Sequence, residues 1–113
     1  MKDKLLIIDK LKRTIIYIDK TLDNFPHRDL ELKQNINRAL YEMLECTYLA
    51  NNGFEKERNK NQAIIKLQMI DFYLMLSFKK SIISKKKYES IAKHLLEIRK
   101  MLFGWLETSE ESR

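Results

Sequence analysis

Residues 60–83 read KNQAIIKLQMIDFYLMLSFKKSII, and this stretch decides the fold. Ile64, Ile65, Leu67, Met69, Ile70, Phe72, Tyr73, Leu74, Met75, Leu76 and Phe78 lie too close together for polar and apolar positions to alternate as in a strand. Wound at 3.6 residues per turn, they cover nearly the whole circumference of a helix, and a helix apolar all round must be buried all round. In a monomeric four-helix bundle each helix keeps one face in water, so this helix calls for a further partner.

Reading towards the N-terminus, Asn51-Asn52-Gly53 is a helix stop, because Asn and Gly tolerate the left-handed C-cap conformation. The polar residues 54–59 read as a connection. Before them, Leu32, Ile36, Ala39, Leu40, Met43, Thr47 and Ala50 recur at helical spacing and place a second helix at about 30–51, with Asp29 able to cap it. Pro26 separates that helix from a first one at about 3–23, whose stripe is Leu5, Ile8, Leu11, Ile15, Ile18 and Leu22. Leu6, Ile7, Ile16 and Tyr17 widen this stripe beyond one seam. Towards the C-terminus, Tyr88, Ile91, Leu95, Ile98, Leu102 and Trp105 mark a fourth helix at about 86–107, followed by a polar tail at 108–113. Short connections between four helices of similar length imply a single all-α domain, an up-down-up-down antiparallel four-helix bundle spanning 1–113.

The composition agrees. Only 2 Gly and 1 Pro occur in 113 residues, too few for the turns of a sandwich, barrel or doubly wound sheet. One Cys excludes a disulfide framework and fits a reducing, cytoplasmic setting. No apolar run comes near the ~20 residues that span a bilayer, and no signal peptide is recognisable, so no membrane role is expected.

No catalytic constellation is present. His94 precedes Glu97 where a di-iron bundle needs Glu-x-x-His, and His27 sits beside Pro26, so both read as surface histidines and neither metal nor cofactor is expected. Cys46 reads as a small, half-buried side chain. Asp71, a lone carboxylate in an apolar helix, needs a partner such as Arg38 or Arg99. Gly104 suggests a close backbone approach, with Trp105 as a packing anchor.

Charge is the positive signal. The chain carries +6, and residues 78–100 account for all of it: Lys79, Lys80, Lys85, Lys86, Lys87, Lys93, Arg99 and Lys100 face only Glu89 and Glu97. The junction between the third and fourth helices therefore reads as one basic end. It is either a solvated loop or a phosphate-contacting surface, and with Tyr88 alone available for stacking it favours backbone contact over base readout. The apolar surplus reads as an oligomer interface, with Leu6, Ile7, Ile16 and Tyr17 meeting Met69, Phe72, Tyr73 and Met75 of a neighbour in a closed ring.

Four segments carry a family resemblance: Phe25-Pro26-His27-Arg28; Leu32 with Ile36-Asn37-Arg38-Ala39-Leu40; Lys66-Leu67 with Asp71 and Leu74; and Ile98-Arg99-Lys100-Met101-Leu102-Phe103-Gly104-Trp105-Leu106. Over about residues 5–107 the chain resembles the accessory variability determinant (Avd) proteins of diversity-generating retroelements. It is also similar to the four-helix-bundle proteins encoded in 23S rRNA intervening sequences. The Avd resemblance implies a noncatalytic homopentamer with a basic surface, which binds a reverse transcriptase and its template RNA or cDNA in mutagenic retrohoming. Those proteins often carry arginines on the third helix, where this chain has Ser77-Phe78-Lys79-Lys80. The other readings are a bundle of the intervening-sequence type, whose role is unknown, and a general helical interaction module.

Overall fold

A computed structural model describes residues 2–111, with side chains described for 6–104. Within these bounds the chain forms four α-helices and no strand: α1 (Lys2–Leu22), α2 (Leu30–Asn51), α3 (Lys56–Lys79) and α4 (Lys85–Glu111). A single 3-10 turn, His27–Asp29, leads into α2. Each helix packs on its neighbour in the chain, and α4 closes the bundle against α1. The expected four-helix bundle is the observed fold, elongated at 48 × 23 × 19 Å. Among the described residues no helix is long and apolar enough to cross a membrane.

The predicted stripes of α1, α2 and α4 line the core. Ile8, Leu11, Ile15, Ile18 and Leu22 are buried on α1, as are all seven predicted positions of α2 and Ile91, Leu95, Ile98 and Leu102 of α4. Leu5 and Trp105 lie outside the described side chains. The α2 stop is a Schellman motif: Gly53 adopts φ +83°, its N–H donates to Ala50 O at 3.1 Å, and Phe54 N–H donates to Leu49 O at 2.9 Å.

Helix α3 differs from its reading at both ends. It begins at Lys56 rather than near residue 60, since Glu55 takes a left-handed conformation and its carbonyl accepts from Asn59 N–H at 2.9 Å. It stops at Lys79 rather than near 83, again through a Schellman motif. Ser81 takes φ +62° and donates to Phe78 O at 2.9 Å, while Ile82 N–H donates to Ser77 O at 2.9 Å. The reversal turns Ile83 back into the core. Ser84 then caps α4 through Oγ, which accepts from Lys87 N–H at 3.0 Å. Helix α4 continues to Glu111, so residues 108–111 extend the helix instead of forming a separate tail; Ser112 and Arg113 lie outside the described residues.

The packing also decides which side of α3 is inside. Its buried line is Lys60, Ala63, Leu67, Ile70, Leu74 and Ser77, a narrow seam that includes a lysine and a serine. Ile65 (47%), Met69 (40%), Phe72 (49%) and Met75 (40%) are exposed on the protomer. Within one subunit the neighbouring helices cover only part of α3, and the apolar face left over is the surplus for which the sequence calls for a further partner.

A candidate polyanion-binding surface

Eight cations were expected to form one basic end. The structure instead distributes them over the α3–α4 junction and the outer side of α4. Lys79 and Lys80 close α3, where cations suit the helix dipole. Lys85, Lys86 and Lys87 open α4, whose first turn holds no acidic residue. Cations at a helix N-terminus oppose the macrodipole at ~0.3–1 kcal/mol each, so folding alone does not favour them there. From Lys86 the line continues through Lys93 and Lys100 at seven-residue intervals, each step ~10.5 Å along one side of the helix.

Their environments divide them. Lys79, Lys85, Lys86, Lys93 and Lys100 are exposed, and among the described residues no carboxylate lies within 4.0 Å of their ammonium groups. Lys80 serves the fold: its Nζ donates to Asp29 Oδ1 at 2.5 Å across 51 residues of sequence. Asp29 is buried and makes no side-chain cap to α2, contrary to its predicted role; its other oxygen has only Arg28 nearby, at 3.6 Å. Lys87 is half-buried, donating to the Tyr17 hydroxyl at 3.3 Å with its ammonium 4.8 Å from the centre of that ring. Arg99 lies over Phe103 at 5.6 Å and opposes the burial that raises the Asp71 carboxyl pKa. Arg99 is thus the electrostatic neighbour of Asp71, though no ion pair closes between them within 4.0 Å.

Removing Lys80 would strand a buried carboxylate. Lys80→Ala should destabilise the protein by ~1–3 kcal/mol, the cost of an unsatisfied charged acceptor tempered by the half-exposure of the lysine. A midpoint shift in thermal unfolding reads this out, and Asp29→Asn combined with Lys80→Ala should recover part of it.

The two acidic residues of the segment also differ. Glu97 pairs with Lys10 of α1 at 2.8 Å, and that bond and charge hold its carboxyl below the usual range. Lys10 also donates to His94 Nδ1 at 3.1 Å, while the His94 ring meets Tyr17 edge-on at 5.2 Å. His94 therefore belongs to the α1–α4 seam and is not the surface histidine expected; His27 is exposed. Tyr88 is stacked on Phe78 at 5.1 Å and 3°, so the one aromatic available for stacking among these cations is already engaged within the bundle. Leu96 (51%) is exposed between Lys93 and Lys100, and Phe103 (37%) just beyond Lys100.

No family model matches the chain, and no curated protein matches it. The surface must therefore be read from its own residues. Among the described residues no three His, Cys, Asp or Glu side chains are grouped to hold a metal. Cys46 is half-buried, and burial followed by the charge of Glu45 pushes its thiol pKa up, away from the reactive thiolate. Among the described residues no atom lies within 4 Å of a Cβ built at Gly104, so none of them makes the close approach expected there.

The expected interface residues are likewise divided. Ile7 is 1% exposed and belongs to the protomer core, which removes it from any outer surface. Tyr17 is held in the α1–α4 seam by Ser90 at 2.9 Å and by Lys87, and Tyr73 is half-buried. Leu6 and Ile16 are exposed but lie ten residues apart, with the Asp9–Arg13 ion pair between them. Met69, Phe72 and Met75, joined by Ile65, form the continuous apolar face.

Proposed function

We propose that this chain is a noncatalytic, oligomeric scaffold that binds RNA through the outer side of α4 and the α3–α4 junction. The observation that carries this reading is the set of five exposed lysines with no carboxylate within 4.0 Å among the described residues, three of them in line along one helix. Such a row offers point charges to a phosphate backbone and no bidentate fork for reading base edges. The resemblance to Avd proteins extends the proposal. The RNA is the template of a diversity-generating retroelement, the protein partner is its reverse transcriptase, and the assembly is a homopentamer in the cytoplasm that needs no cofactor. The exposed face of Ile65, Met69, Phe72 and Met75 supports self-association.

Salt titration of RNA binding tests the central claim. Five phosphate contacts on a single strand give a slope of about −3.5 in log affinity against log salt. A slope near zero would remove the polyanion reading. The apolar α3 face equally suits the second reading, a helical interaction module such as the intervening-sequence type. A reverse transcriptase gene and a variable-repeat target beside the coding sequence favour the first; their absence favours the second.

A further inference from the structure

A cavity of about 390 Å³ opens where the C-terminal end of α1 meets the N-terminal end of α4. Its lining includes Tyr17, Lys20, Thr21, Asn24, Ser84 and Lys87, and no acidic residue. Lys87 is held in place by the ring and hydroxyl of Tyr17, both neutral partners, so two of its three N–H donors remain for a ligand. Lys20 has no carboxylate within 4.0 Å among the described residues. Two cations thus share a concave site without a counter-ion, one of them positioned in advance. At ~30 Å³ per water the cavity holds about a dozen solvent molecules, room for a phosphate together with the sugar that carries it.

We propose that this cavity binds a phosphate monoester, the terminal phosphate of a nucleic-acid strand or its free equivalent. A monoester carries about −1.5 to −2 charges at neutral pH, matching two uncompensated lysines better than the single charge of an internal diester. The proposal rests on the polyanion reading, since Lys87 belongs to the same set of cations, and it adds a fixed point at which a strand end is held.

Calorimetric titration with inorganic phosphate, and with a short oligouridylate bearing either a 5′-phosphate or a 5′-hydroxyl, tests it. The 5′-phosphorylated strand is expected to bind about tenfold more tightly than its hydroxyl counterpart. Lys87→Met should erase that difference, and Lys20→Met, at an exposed position, serves where Lys87→Met fails to fold. Phosphate binding without any gain from the 5′-phosphate supports the site and identifies the free ion as its source. If phosphate binds while neither strand does, the cavity stands and the RNA scaffold falls. Equal affinity for both strands together with no binding of phosphate overturns the proposal.

Discussion

Lys79→Glu, Lys86→Glu and Lys93→Glu together should weaken RNA binding by roughly a thousandfold, taking ~1.5 kcal/mol for each lost charge-assisted contact. These three are chosen because each is exposed and none has a carboxylate partner among the described residues. Lys80 and Lys87 are left alone, because one neutralises Asp29 and the other is bound to Tyr17. Position 86 adds an internal control. A carboxylate in the first turn of α4 interacts favourably with the helix dipole, so Lys86→Glu should preserve or slightly raise stability. Weakened binding with unchanged helical circular dichroism therefore reports the surface and not the fold. Binding that survives all three reversals would show that the phosphate contacts lie elsewhere.

Met69→Glu with Phe72→Glu should reduce the assembly to single chains of 13.6 kDa, measured by light scattering. The wild-type protein is expected at about five times that mass if the Avd resemblance holds. Both side chains point away from the core and are 40% and 49% exposed in the protomer, so the substitutions place charge on the outer face without opening a cavity. Two unpaired carboxylates buried between subunits would cost several kcal/mol, which opposes association through this face. A wild-type chain that runs as a monomer ends the ring hypothesis without any variant. Ile65→Glu, on the same face, should act in the same direction.

The two experiments address surfaces that the sequence exposed unequally. The α3 face was visible as a surplus of apolar residues, whereas on α1 the same surplus mixes exposed and buried positions. Ile7 turned out to be core, and Leu6 and Ile16 are separated by charges. Spacing alone could not tell Ile7 from Leu6, since adjacent residues differ by only 100° around the helix and a stripe has no sharp edge. The basic surface was legible as a count, and its division was not. Lysine stems reach several ångströms, so a partner such as Asp29 for Lys80 can come from a helix far away in sequence. Leu96 and Phe103 fall off the α4 stripe, and periodicity does not say whether an apolar side chain off the stripe is covered by a neighbouring helix.

By itself the sequence determined the four helices, the stripe that α2 buries and the turn at Asn52-Gly53, because these depend on periodicity and on the conformational freedom of single residues. It also determined that the net charge is concentrated in residues 78–100. Only the tertiary structure decided which side of α3 faces inward, since a helix apolar on every side has no preferred face until others pack against it. It also decided that α3 ends at a left-handed Ser81, where burial of Ile83 favours a conformation that serine alone seldom adopts. The cavity beneath Lys20 and Lys87 is of the same kind: its walls come from residues 17–24 and 82–87, far apart in sequence, and no local pattern brings them together.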